Sequence, residues 1–127
     1  MKANELRINN IYKTNIEFVG SLEAKINVFK DKEYFILNEK KLMLILQFDL
    51  LKFIEPIQLT EEWLLKCGFE MNRLSFSIKF ELNNFIIFKI DDYFYAKVIG
   101  MEINLKYLHE LQNLYFTHNK KELNVNL

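Results

Sequence analysis

The sequence predicts an α+β fold. It comprises a small N-terminal β subdomain curled into a partial barrel, a short helix, a three-stranded antiparallel meander, and a C-terminal helix packed on the sheet. Three observations carry this expectation. Residues 75–82 alternate polar and apolar without a fault, the pattern of a half-buried strand, and two more strand-like runs follow them. Residues 60–69 spell a short helix with both ends written in. Residues 105–118 carry apolar side chains at helical spacing.

Taken in order, the first half reads as short strands. Leu6-Arg7-Ile8 and Ile11-Tyr12 flank Asn9-Asn10, a pair that tolerates positive φ and suits a turn. Ile16-Glu17-Phe18-Val19 ends at Gly20-Ser21, and Lys25-Ile26-Asn27-Val28-Phe29 is separated from Tyr34-Phe35-Ile36-Leu37 by a polar turn at 30–33. The apolar run 42–48 fits a buried strand or a helical turn, because periodicity does not arbitrate in so short a segment. Asp49-Leu50-Leu51-Lys52 resembles one turn of 3₁₀ helix feeding a last strand, Phe53-Ile54-Glu55. Short strands at regular spacing suggest the curled sheet. One domain over 1–127 is expected, with a possible seam near Pro56 between a β subdomain (1–55) and a helix–meander–helix portion (56–127).

Beyond Pro56, Thr60 can cap a helix whose first turn carries Glu61 and Glu62, where the helix dipole favours negative charge. Leu59 and Leu64 stand at the two positions of a hydrophobic staple. Trp63 is expected to anchor the helix in the core. Gly68 can take the left-handed conformation that ends the helix, with Phe69 folding back on Leu64.

In the meander, Asn83-Asn84 and Asp91-Asp92 suit two-residue hairpin loops. The register then follows: Leu82 opposite Phe85, Phe80 opposite Ile87, Ile90 opposite Tyr93, and Phe88 opposite Tyr95. One face carries Phe76, Ile78, Phe80, Leu82, Phe85, Ile87, Phe94, Ala96 and Val98, and reads as core. The reverse face carries Ser77, Lys79, Glu81, Ile86, Phe88, Ile90, Tyr93, Tyr95 and Lys97, half aromatic and half charged.

The last helix is expected to start near Leu105 with Asn104 as its cap. Tyr107, Leu108, Leu111, Leu114, Tyr115 and His118 fall on one broad stripe, with Lys106, Glu110, Gln112 and Asn113 mostly off it. Burial of Leu108, Leu111 and Leu114 would hold the helix to the sheet. Asn119 can end it in the left-handed conformation, and residues 120–127 would add an edge strand or fray.

Composition narrows the function classes. The chain has 127 residues, half of them hydrophobic, with 3 Gly and 1 Pro, which argues for a packed globule. Lys+Arg and Asp+Glu are equal at 17 each, whereas nucleic-acid binders usually carry a basic surplus. Met1 to Arg7 is polar and unlike a signal peptide. The richest apolar run, 42–54, is interrupted by Gln47, Asp49 and Lys52 and falls short of the ~20 residues that span a bilayer. A soluble, cytoplasmic protein is the expectation.

Chemistry-bearing groups are sparse. Cys67 is the single cysteine and lies at a helix C-terminus, the wrong end for lowering its pKa, so a buried apolar thiol is expected. His109 and His118 stand nine positions apart, too far along one helix for a common metal. Asp91-Asp92 reads as a solvated turn, and no phosphate-cradling or nucleophile-elbow pattern occurs. The sequence therefore suggests no cofactor, no metal and no enzymatic activity.

What remains is the reverse face of the meander, with Tyr93, Tyr95, Phe88, Lys79 and Lys97. Aromatics beside lysines can stack bases. They equally suit a protein partner, since aromatics dominate interface energetics. Alternatively the leading strands cover this face. A nucleic-acid role would need Lys79, Lys97, Lys120 and Lys121 to converge, and a structural role would use the meander edge or the C-terminal strand for assembly.

Three segments also resemble a family of small, largely uncharacterised proteins carried by phages and mobile elements of Bacteroidetes-type bacteria. The first is Leu6-Arg7-Ile8-Asn9-Asn10, where the family has Leu-Arg-Ile-Gly-Asn. The second runs from Pro56 through Thr60-Glu61-Glu62-Trp63-Leu64-Leu65-Lys66 to Gly68-Phe69. The third is Leu108-His109-Glu110-Leu111-Gln112-Asn113-Leu114-Tyr115-Phe116 with Lys121-Glu122-Leu123 after it. The resemblance spans about a third of the chain and carries no catalytic residues. It implies a phage or mobile-element origin; together with the small size, the lack of a catalytic set and the aromatic face, that origin suggests a protein that binds a host macromolecule, such as an inhibitor of a CRISPR-type or other antiviral defence.

Overall fold

A computed structural model of the chain describes residues 1–14 and 34–127. The chain divides into two compact units, Met1–Ile57 and Gln58–Leu127. Together they show a mixed α+β architecture.

The first unit contains β1 (Ile11–Thr14), β2 (Tyr34–Ile36), α1 (Glu39–Gln47) and β3 (Ile54–Glu55). The strands form an antiparallel sheet in the order β2-β1-β3, with Tyr12 opposite Phe35 and Lys13 opposite Glu55. The described strands make no closed barrel. The strands expected at 16–19 and 25–29 lie outside the described residues.

Leu6-Arg7-Ile8 is not a strand. A hydrogen-bonded turn replaces it, because the polar groups there find partners close by. Asn9 takes φ 78° and the buried Asn10 accepts from Arg7 Nη1 at 2.7 Å. The Tyr12 hydroxyl donates to the Glu5 carbonyl at 2.9 Å and accepts from the Arg7 amide at 3.0 Å. Burial raises the Tyr12 pKa above its ordinary value, against the lowering effect of its Asn10 and Arg7 hydrogen bonds.

The run 42–48 is helical. Asn38 caps α1 by accepting from the Lys41 amide at 2.8 Å, and Asp49 ends the helix at φ 53°. The expected 3₁₀ turn follows two residues later, at Leu51–Phe53. Tyr12, Phe35, Leu37, Ile45, Leu50, Phe53 and Ile54 form the core of this unit.

The second unit opens with α2 (Glu61–Lys66), and both of its ends are as the sequence implies. Thr60 Oγ1 accepts from the Trp63 amide at 3.3 Å. Gly68 sits at φ 91°, while the Gly68 amide donates to the Leu65 carbonyl at 3.0 Å and the Phe69 amide to the Leu64 carbonyl at 3.1 Å. That pair of bonds is a Schellman motif. Trp63 is buried, and Lys66 Nζ lies 4.7 Å from its ring centroid.

Next come β4 (Glu70–Arg73), β5 (Ile78–Leu82), β6 (Phe85–Ile90), β7 (Tyr93–Val98) and β8 (Met101–Leu105), in one five-stranded antiparallel sheet ordered as in sequence. The expected meander is thus its middle. All four expected pairings hold: Leu82–Phe85, Phe80–Ile87, Ile90–Tyr93 and Phe88–Tyr95.

Two edges depart from expectation. β5 begins at Ile78 rather than Ser75, because residues 74–77 turn the chain back so that β4 can pair with β5. The Leu74 amide donates to the Ser77 carbonyl at 2.8 Å, which closes that turn and leaves Phe76 at 95% exposure instead of in the core. At the other edge, Ile99-Gly100 forms a third two-residue loop, and Asn104 is a strand residue opposite Tyr95, not a helix cap.

The last helix, α3 (Leu108–Asn119), starts at Leu108 rather than Leu105. Glu110 supplies its N-terminal hydrogen bonds, accepting from the Tyr107 amide at 2.8 Å and the Lys106 amide at 3.0 Å. Leu108, Leu111 and Tyr115 are buried as expected, but so are His109 and Gln112, while Leu114 is half-buried and His118 exposed. The buried stripe is therefore rotated toward Gln112. Lys120, not Asn119, takes the left-handed conformation at φ 60°. The tail neither pairs as a strand nor frays: Leu123 is buried and the Asn126 amide donates to the Lys66 carbonyl at 2.9 Å.

Phe80, Phe85, Ile87, Phe94, Ala96 and Leu105 are buried on the core face of the sheet. Phe85 meets the Tyr115 ring at 5.4 Å and the Phe69 ring at 6.3 Å, tying α3 and the end of α2 to β6. Lys89, on the same face, reaches Glu61 Oε1 at 2.9 Å and fastens the first turn of α2.

Candidate functional site

The candidate site is the opposite face of this sheet. Strand alternation sends every second residue there, and the pairing register lines them up across all five strands. One row reads Glu70, Glu81, Ile86, Lys97, Glu102; the next reads Asn72, Lys79, Phe88, Tyr95, Asn104. Ile90 and Tyr93 pair at the end of the hairpin beside them.

All five residues singled out from the sequence, Tyr93, Tyr95, Phe88, Lys79 and Lys97, therefore share one face. Tyr93 is 58% exposed and Ile90 47%, whereas Phe88 and Tyr95 are half-buried. The Tyr93 and Tyr95 rings lie 6.5 Å apart and tilted. Phe88, Ile90, Tyr95, Lys97 and Glu102 line an open groove of about 400 Å³.

The lysines are engaged. Lys79 Nζ stands 3.3 Å from Glu81 Oε1, and Lys97 Nζ sits 5.6 Å from the Phe88 ring centroid. A lysine held over a ring keeps its methylenes on apolar surface and its charge partly spent on the π face. The face consequently presents apolar and aromatic area among three glutamates and two lysines, a slightly negative balance rather than a strip of positive potential.

Sequence reasoning missed the outer members of this surface, Glu70, Asn72, Glu102 and Asn104, because it did not place β4 and β8. Gly100 was the available signal for β8, since a glycine two residues past a strand suits a hairpin loop. No such signal marks Glu70-Met71-Asn72-Arg73, whose four residues are all exposed.

The other chemistry-bearing residues lie elsewhere. Thr60, Gly68, Leu108 and Leu111 act in caps and packing as described above. His109 is buried in α3 with its ring stacked on Tyr107 at 5.7 Å, and His118 meets the edge of Phe85. Cys67 is buried, and burial pushes its thiol up to about 12. Among the described residues, no cluster of three or more His, Cys, Asp and Glu side chains could hold a metal ion. Among them too, no helix is long and apolar enough to cross a membrane.

The fold and face define an α+β protein with an open, aromatic sheet surface. Compared with known proteins, the chain matches no family model, no curated protein and no solved structure.

Proposed function

We propose that this is a non-enzymatic protein of a phage or mobile element that acts in the host cytoplasm by binding a host protein through the outer face of its five-stranded sheet. The observation that supports this most directly is the coexistence of exposed Tyr93 and Ile90 with lysines that already have partners. Aromatic area flanked by charges of both signs suits a protein interface, where tyrosines often carry the binding energy. Nucleic acid would instead draw on free basic groups. The phage origin rests on the resemblance of the three segments described above. Its most specific version is an inhibitor of a host antiviral defence such as CRISPR.

The test is affinity capture from host lysate with the tagged chain, repeated with Tyr93→Ala and Tyr95→Ala together. A specific protein retained by the parent and lost by the double variant supports the reading. Equal recovery would move the interface off this face, and salt-sensitive retention of single-stranded DNA or RNA would favour a nucleic-acid role.

A further inference from the structure

The charges on the outer face of the sheet are unequally engaged. Lys79 is held by Glu81, and Lys97 Nζ lies 5.6 Å from the Phe88 ring centroid. Glu70 and Glu102, by contrast, are exposed and have no ion pair or side-chain hydrogen bond among the described residues. The charge this face has left to offer is therefore negative. Glu102 also lines the groove of about 400 Å³, together with Phe88, Ile90, Tyr95 and Lys97. That cavity joins an unpaired carboxylate to two aromatic rings and an aliphatic side chain. The lysine over Phe88 shows that a ring of this groove holds a cation against its face. Among the described residues, no cation lies over Tyr95.

We propose that this groove is a guanidinium subsite, filled by an arginine side chain from a basic segment of the bound protein. The inference rests on the protein-binding reading above and supplies the partner's chemistry. A planar guanidinium can give a carboxylate two parallel N–H bonds and stack on an aromatic ring, which are the two kinds of group left without a cation here. Its methylenes suit the apolar lining from Phe88 and Ile90. A lysine ammonium brings the charge but no plane to stack. An acidic or wholly apolar segment would strip water from Glu102 and return nothing for it. Phosphates of a nucleic acid or an anionic lipid would meet the unpaired carboxylates first. Lys97, lining the same groove, opposes an incoming cation, so removing its charge should tighten binding while removing that of Glu102 weakens it.

The experiment titrates the full chain with the blocked tripeptide acetyl-Gly-Arg-Gly-amide and follows it by NMR. Versions with lysine, or with citrulline (the same shape without the charge), replace arginine as controls. Saturable shifts should centre on Phe88, Tyr95 and Glu102, weaken with lysine and vanish with citrulline. Glu102→Gln should bind the arginine peptide at least about fivefold more weakly, and Lys97→Met about twofold more tightly. Both substitutions fall at exposed positions and should leave the melting temperature unchanged. The protein recovered in the capture experiment, purified alone, should rank the two variants in the same order by calorimetry.

Equal binding of the arginine and citrulline peptides, or shifts away from the groove, overturns the subsite. Equal affinity of parent and Glu102→Gln for the captured protein overturns it too, while leaving the protein-binding reading standing. Weaker binding by Lys97→Met would assign the groove to an acidic group instead. Failure of the parent chain to retain any protein removes both readings.

Discussion

Asn83 donates its side-chain amide to the hydroxyl of Tyr115 at 2.9 Å, fastening the tip of the β5–β6 hairpin to the last helix. The residues are 32 positions apart in sequence, and the bond joins a turn chosen for its backbone conformation to a helix chosen for its apolar face. Phe85, immediately past the turn, packs at a tilt against the same Tyr115 ring. Removing the hydroxyl by Tyr115→Phe keeps the ring contact and should destabilise the protein by about 1 kcal/mol. A double-mutant cycle with Asn83→Gly, which keeps the turn conformation available, should recover most of that loss as coupling energy. Additive effects would show that the bond contributes nothing.

The rotation of α3 yields a contrast between two leucines of the same stripe. Leu111 is fully buried and Leu114 only half-buried. Leu111→Ala should cost about 2–5 kcal/mol by lost transfer energy and the cavity left behind. Leu114→Ala should cost only about 1 kcal/mol. Denaturant titration of both variants measures the difference, and equal losses would contradict the observed orientation of the helix.

In the N-terminal unit, the Tyr12 hydroxyl bridges the Glu5 carbonyl and the Arg7 amide while fully buried. Tyr12→Phe leaves both backbone groups without that partner in a part-buried turn. A loss of about 1–3 kcal/mol is expected. Chemical denaturation followed by a probe in this unit checks it.

Cys67 links burial to pH. Its folded-state pKa lies at about 12 against an ordinary 9.0, so the folded state prefers the protonated thiol. That preference contributes nothing adverse below the ordinary value. As pH climbs above 9.0 toward about 12, the unfolded chain gains a thiolate that the folded chain resists, and stability falls. The native protein should therefore react with a thiol reagent at pH 8 far more slowly than the denatured chain, and Cys67→Ala should flatten the alkaline decline in stability. Rapid native labelling would contradict the burial.

Which parts of this structure were legible beforehand follows the range of the interactions involved. Thr60, Gly68 and Phe69 specify the ends of α2 through hydrogen bonds that span at most five residues. Asn83-Asn84 and Asp91-Asp92 set loop lengths, and loop length alone determines which residues of β5, β6 and β7 face one another. The five residues of the candidate face followed from that register, so their shared location needed no tertiary information.

Other features depended on partners distant in sequence. Glu70-Met71-Asn72-Arg73 has no apolar alternation and becomes a strand only because β5 offers a free edge to hydrogen-bond. Pairing with it then draws residues 74–77 into a turn and puts Phe76 in solvent, against the apolar pattern of its own segment. The buried stripe of α3 turned toward Gln112 because a helix presents overlapping apolar faces, and the shape of the sheet selects among them. Local chemistry along the chain determined the ends of α2, the loops at Asn83-Asn84 and Asp91-Asp92, and the register they set. Tertiary structure decided the sheet edges and the helix orientation, because backbone ladders and packing override weak local preference when both partners are available.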